Sequence, residues 1–271
     1  MGAKQAYNEH ELVLFMLGAI CVFFAFFLFF LTATFIKRSN KLRNQRKSEQ
    51  YQKTGNEILF NLLFGNTTME EALQQFHSLD KSSLLIQAMT RSTISLHRNY
   101  AGEQRKILEH FFLLSGLSDF SYKKLKSGRW VEVVEGIRVL SVLNVREAFD
   151  EIRSLLEHPH VNVKKEAFIG LITLEGMEGL EKFPLPKIPI DDWTQSCILY
   201  QLKIKSFSSF EGIHLFLESK NESLVLLGAR IADYFQLHES YAFILNMQQE
   251  LQKYRQEFAA IRNRILKNMP S

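Results

Sequence analysis

Two imidazoles one residue apart, His158 and His160 in the stretch EHPHVNVKKEAF, are the side chains that come nearest to opening a metal site. Imidazole is the commonest side-chain metal ligand, but a zinc or nickel site needs three or four donors converging on one point. The nearby sequence supplies no third or fourth ligand, and Pro159 between the two rings is a turn residue. The stretch therefore reads as a polar turn rather than a metal site. His-Glu pairs, several of which together could hold iron, occur at His10-Glu11 and His238-Glu239, and only the second falls in the soluble part of the chain. His77, His97, His110 and His214 each stand singly in helical text. No nucleophile elbow, Walker-type glycine loop or dinucleotide fingerprint is present, and Gly176 and Gly179 lack the preceding strand that would give them meaning. No catalytic, cofactor-binding or metal-ligating residue is expected.

The elements that would position such residues are helices. From Thr54-Gly55 onward apolar residues recur at three- and four-residue spacing without a strand-like alternation, so the fold class is all-α. Helix starts are marked by Asn66-Thr67-Thr68, by Asp80 and by Ser127-Gly128. Aligning VEGIRVLSVL, KEAFIGLITL, QSCILYQL, LLGARIADYF and EFAAIRNRIL brings Gly136, Ala167, Ser196, Gly228 and Ala259 into register, at intervals of 31, 29, 32 and 31 residues. The segments FDEIRSLLEHPH and FEGIHLFLESKN match at an offset of 61, which pairs Phe149 with Phe210, Ile152 with Ile213 and Leu156 with Leu217. The same offset sets His158, Pro159 and His160 opposite Ser219, Lys220 and Asn221, so the turn is used twice and the imidazoles once. A helical hairpin repeated at this period predicts an α-solenoid, with a small residue wherever two helices approach closely. Pro184, Pro186 and Pro189 in PLPKIPI, after a first helix cut to MEGLEKF, predict an extended break in the stack.

The run HPHVNVKKEAFIGLITL resembles the HEAT-repeat family, in particular its short phycobilin-lyase-type repeats, with Val163-Lys164, Ala167 and Leu171 in the family's pattern positions. The likeness is good over 129–182, fair over 208–267 and weakest over 55–127. It implies a long concave face whose usual work is to hold another protein. Arg138, Lys164, Lys165 and Arg230, with Arg262 and Arg264, would then meet an acidic partner segment. HEAT-like proteins also include deoxyhypusine hydroxylases with a di-iron site, bilin lyases and DNA glycosylases. One usable His-Glu pair cannot build the first, and nothing identifies a bilin site for the second. For the third, Trp130, Trp193, Asp191 and Asp192 could be recruited, but the two Trp read as core anchors and a membrane tether opposes DNA repair, so no nucleic-acid partner is expected. The resemblance thus implies a non-enzymatic scaffold without a cofactor.

The chain of 271 residues is 46% hydrophobic and 23% charged, with a formal net charge of +4. From Leu12 to Ile36 it carries no charge, against the roughly 20 residues a helix needs to cross a bilayer. Only Lys4 is basic before this run, whereas Lys37, Arg38, Lys41, Arg43, Arg46 and Lys47 follow it at once. That asymmetry predicts a single-pass protein of the inner or plasma membrane, amino terminus outside and the long carboxy-terminal part in the cytoplasm. The basic residues would lie beside anionic headgroups, at up to about 1 kcal/mol each. Thr32-Ala33-Thr34 could mark a cleaved signal, but the length of the run and the positive cluster after it oppose that. The domain map is 1–11 outside, 12–36 spanning, 37–54 a basic linker, 55–127 a helical region and 128–270 the repeat solenoid. Gly18, Ala19 and Ala25 do not form the Gly-x-x-x-Gly spacing of close helix dimers. Cys21 and Cys197 are too far apart in character to be a disulfide pair and fit a reducing compartment.

Overall fold

The computed structural model describes residues 2–205, 209–247 and 251–268, without the side chains of 2–15, 19 and 21, so Cys21 and the His10-Glu11 pair lie outside the described side chains. Among the described residues all regular structure is helical.

Helix α1 (Gly2–Phe64) is 63 residues long. It does not stop at the basic segment expected to be a linker, because residues 37–54 contain neither Gly nor Pro and are rich in Lys, Arg, Gln and Glu, all good helix formers. It does not stop at Gly55 either. A Cβ there would stand 2.5 Å from the Met89 sulfur, so Gly55 is where α1 and α3 (Ser83–Asn99) approach most closely. Beyond it Ile58, Leu59 and Leu62 enter the core. The apolar stretch of α1 packs against nothing: Phe23, Phe24, Phe26, Phe27, Phe29 and Phe30 are all exposed. Among the described residues α1 is the one helix long and apolar enough to cross a membrane.

Between α1 and α3 lies α2 (Met69–Ser78), begun by a capping box: the Glu71 amide donates to Thr68 Oγ1 at 3.3 Å and the Thr68 amide donates to Glu71 Oε2 at 2.8 Å. Helices α4 (Glu103–Leu114), α5 (Leu117–Leu125), α6 (Trp130–Val142), α7 (Phe149–Ser154) and α8 (Val161–Glu175) follow. Then come α9 (Asp192–Lys205), α10 (Ile213–Leu217), α11 (Glu222–Phe235), α12 (His238–Asn246) and α13 (Arg255–Asn268). Helix α3 packs on α1, α5 on α6, α6 on α8, α8 on α9, α10 on α11 and α11 on α13.

A turn geometry recurs before the long helices α6, α8 and α11. Their N-caps are Arg129, His160 and Asn221, and Asp191 occupies the same place before α9, accepting the Gln195 amide on its carbonyl and the Thr194 amide on its carboxylate. These four positions are 31, 31 and 30 residues apart. Two residues ahead of each cap, a side chain accepts the cap's own amide: Ser127 for Arg129 at 3.2 Å, His158 for His160 at 3.0 Å and Ser219 for Asn221 at 3.1 Å. Before α9 that place is Pro189.

Seven residues past the caps stand Gly136, Ala167, Ile198 and Gly228, and all four are buried. A Cβ on Gly136 would meet the Ser121 carbonyl oxygen of α5 at 2.9 Å, and one on Gly228 would meet Leu217 of α10 at 2.9 Å. The expected register is therefore corrected at two of its five points. Ser196 is exposed and Ile198 takes the buried place, because α9 starts from Asp191 and no α-helix precedes it closely enough to require a small residue. Ala259 is also exposed, and Phe258 and Ile261 carry the packing of α13.

The first members of the hairpins are shorter than the sequence pattern suggests. The segment from Phe149 is α7 between the 3-10 helices Arg146–Ala148 and Leu155–Glu157, the one from Phe210 is the five-residue α10, and MEGLEKF holds only the 3-10 helix Glu178–Lys182. The carboxy-terminal run from Gln248 begins outside the described residues and is helical from Arg255.

Replacing Gly136 by Val is expected to destabilise the domain by about 1–3 kcal/mol, since the atom it meets is backbone and cannot move aside. Ser196→Val, at the exposed position, should change stability by less than about 0.5 kcal/mol. Thermal unfolding of the detergent-solubilised chain measures both, and equal effects would refute the corrected register.

Candidate functional site

The turn at His158–His160 has a structural occupation. His158 Nδ1 accepts the His160 amide at 3.0 Å, and His160 Nδ1 accepts the Asn162 amide at 3.2 Å, capping α8. Both Nδ1 atoms are thus acceptors, which makes Nε2 the protonated nitrogen of each neutral ring. The His160 ring also stacks on Trp130, centroids 4.3 Å apart and planes within 10°. At Ser219 and Asn221 the same two hydrogen bonds are made by a hydroxyl and an amide oxygen, at 3.1 and 3.2 Å. Imidazole, hydroxyl and carboxamide are interchangeable there because the turn needs only an acceptor. Among the described residues no three His, Cys, Asp or Glu side chains come together as a metal site.

The cations expected to meet a partner, apart from Lys164, are engaged inside the molecule. Arg138 of α6 holds Glu166 of α8 through two hydrogen bonds, at 2.9 and 2.7 Å. Lys165 of α8 pairs with Asp191 at the start of α9. Arg230 of α11 reaches back to Asp192 at 3.0 Å and Gln195 at 2.8 Å and forward to both oxygens of Glu257 at 2.7 Å. Arg264 of α13 returns to Asp233 of α11 at 2.7 and 2.9 Å. The Lys165 ammonium, with the Thr194 amide, holds the Asp191 carboxyl down at about 2, while Glu166 raises the already high Arg138 value. Lys164 has no ion pair among the described residues. The row α6, α8, α9, α11 and α13 is thus cross-linked by ion pairs from one long helix to the next.

Along one side of that row runs a connected groove. One cleft of about 350 Å³ lies between α3, α5 and α6, and a second of about 320 Å³ lies between α6, α8 and α9, with Arg98, Arg138 and Val142 common to both. Val139, Val142, Ile169 and Gly170 contribute apolar floor. Trp193 and Tyr200 stand at the second cleft, 78% and 54% exposed. Arg91 and Arg98, both exposed on α3, have no hydrogen bond or ion pair among the described residues. Neither was singled out by the repeat pattern, which is faint over 55–127. The available signal was the helical spacing Ser83, Gln87, Arg91, Ile94 and Arg98, a face distinct from the buried Leu85, Met89 and Ser92. Cys197 lines the same groove, but burial and the Glu166 carboxylate push its thiol up, the reverse of what activates a nucleophile.

A polar chain closes one end of the groove. His97 Nε2 of α3 meets Glu109 of α4 at 2.9 Å, Asn144 donates to Glu109 at 3.3 Å, and Lys205 of α9 donates to Asn144 at 3.4 Å. This chain ties α3 and α4 to α9 and to the turn after α6. Burial lowers Lys205 to about 8; Glu109 opposes the shift, and Arg105 and Arg146 add to it.

Compared with family models, with curated proteins and with solved structures, the chain matches none of them.

His160→Asn should leave stability within about 0.5 kcal/mol of the parent, whereas His160→Ala should cost about 0.5–2 kcal/mol as a lost N-cap. Denaturation of the two variants side by side decides it, and zinc that stabilised the parent but neither variant would restore the metal reading. For Lys205 the folded value of about 8 lies below the unfolded 10.5, so between them the unfolded chain binds more protons. Stability therefore rises with pH across that window, and below it the desolvated ammonium remains a cost. Lys205→Met should raise the melting temperature at pH 7 and flatten its rise at alkaline pH; a lower melting temperature at pH 7 contradicts this.

Proposed function

We propose that this chain is a single-pass protein of the cell membrane, amino terminus outside, whose cytoplasmic domain is a HEAT-like α-solenoid. The domain acts without catalysis, as a scaffold or adaptor that holds a protein partner in a membrane-associated assembly. In this reading residues 12–36 span the bilayer, 37–54 stand in the anionic headgroup zone and the water beyond, and 55–127 cap the repeats of 128–270. The observation that carries it is the unbroken α1, which enters the domain core at Ile58 and leaves its apolar stretch unpacked. An apolar helix of that length with no protein around it fits lipid as its solvent. The basic residues on one side of it set the direction of crossing. The recurring turn and the cross-linked row of long helices support the solenoid, and such stacks offer long faces to partners. No cofactor enters this reading.

A reporter fused to the carboxy terminus is expected to be active only when the reporter works in the cytoplasm; activity restricted to the outside overturns the topology. A photo-cross-linking residue at Trp193 in native membranes should trap one discrete protein adduct, and adducts with lipid alone would remove the scaffold role.

A further inference from the structure

The connected groove between α3, α6, α8 and α9 has a sign. Five cationic side chains line its two clefts against three carboxylates. Each of those carboxylates is already neutralised: Glu166 by Arg138, Glu135 by Lys124 at 2.7 Å, and Glu132 by Arg129. Arg91 and Arg98, by contrast, face the groove from α3 with no partner among the described residues. An arginine beside a low-dielectric apolar floor attracts a carboxylate more strongly than it would in open water. In the second cleft Arg98 is joined by two exposed aromatic rings, Trp193 and Tyr200, the residue types that with Arg dominate binding energy at protein interfaces.

Resting on the scaffold reading, we propose that this groove is the docking site and that its occupant is an acidic peptide segment of the partner protein. Its carboxylates meet Arg98 and Arg91, and an aromatic or aliphatic side chain lies against Trp193 and Tyr200. Charge complementarity selects an acidic peptide. Distance argues against a lipid headgroup, since residues 37–47 of α1 are exposed helix and, at 1.5 Å per residue, hold the domain roughly 16 Å from the end of the apolar run. A headgroup layer about 5–7 Å deep takes up less than half of that length. The site differs from the one read in the sequence, because Arg138, Lys165 and Arg230 serve the helix row, Lys164 does not line the groove, and Arg91 and Arg98 of α3 do.

The test uses the full chain in zwitterionic nanodiscs and a random-peptide display library as probe. Selected peptides should carry net negative charge and an apolar or aromatic residue. In a Trp130→Phe background their binding should shift the emission of Trp193 to shorter wavelength. Arg98→Glu should weaken binding by about tenfold or more, Arg98→Gln by less, and Lys220→Glu, outside the groove, should leave it unchanged. Tyr200→Ala serves as a second groove variant if Arg98→Glu fails to fold, judged by its melting temperature. Neutral or basic selected peptides, or binding indifferent to Arg98 and Tyr200, would overturn the proposal. So would capture of phosphatidylserine vesicles through Arg98 with no acidic peptide selected. Should the groove fail while cross-linking in native membranes still traps a protein at another face, the scaffold reading stands and only the docking site falls.

Discussion

Glycines let helices in this molecule approach where any Cβ would clash, and much of the packing follows from those contacts. Gly55 lets α1 reach Met89 of α3, Gly136 lets α6 reach the Ser121 carbonyl of α5, and Gly228 lets α11 lie on Leu217 of α10. A Cβ at any of these positions would stand within 3 Å of its neighbour, as it would at Gly170 between α8 and α6, so each pair is held at close separation. The long helices are then held closely enough for side chains to bridge them. Hence Arg138, Lys165, Arg230 and Arg264 find carboxylates 28, 26, 27 and 31 residues away, each about one turn-to-turn interval along the chain.

The proline-rich segment shows how the row survives where a helix is missing. Residues 184–190 offer backbone groups that a helix would have satisfied internally, and the cap of α11 and a side chain of α9 satisfy them instead. The Asn221 side-chain amide donates to the carbonyls of Pro186 and Ile188, at 3.1 and 2.9 Å, and Ser223 accepts the Ile190 amide at 2.8 Å. Gln195, fully buried, donates to the carbonyls of Ile190 and Ser223. The extended segment is therefore pinned between α9 and α11, and Arg230 closes the same junction through Asp192 and Gln195. The missing helix removes packing volume without breaking the order of the long helices.

The period was legible in the sequence because a turn that needs an acceptor two residues before its cap leaves a chemical trace at Ser127, His158 and Ser219. Its phase was less legible. Small residues were a proxy for close approach, and where the first helix is lost the proxy fails, so Ser196 drew attention that belonged to Ile198. The continuity of α1 was hidden for a related reason: Gly55 reads as a breaker in one dimension and is a contact in three. The charged residues were the hardest to place. An arginine on a helix surface looks the same in sequence whether it meets water or a carboxylate from the next repeat, and only packing distinguishes Arg138, which is paired, from Arg98, which is not. The all-helical class was secure because it rests on periodicity summed over many residues, whereas the groove depends on how distant faces meet.

The unbroken helix also constrains how a groove on the domain can present itself. Along residues 37–54 the only apolar side chains are Leu42 and Tyr51, so this stretch has no apolar stripe with which to lie on a bilayer. Its cations surround it: at about 100° per residue, Lys37 and Arg46 fall on opposite sides of the helix. Under the proposed topology a helix basic on all sides gains most by standing upright, with its first turns among the headgroups and the rest in water. Since the same helix continues into the core through Ile58, Leu59 and Leu62, rotation of the domain requires rotation of the apolar part of α1. Under the proposed topology the groove then has a fixed height and a fixed azimuth relative to the membrane segment. A partner carrying its acidic segment on a membrane protein of its own would meet it in one orientation, at an entropic cost lower than a flexible linker would impose.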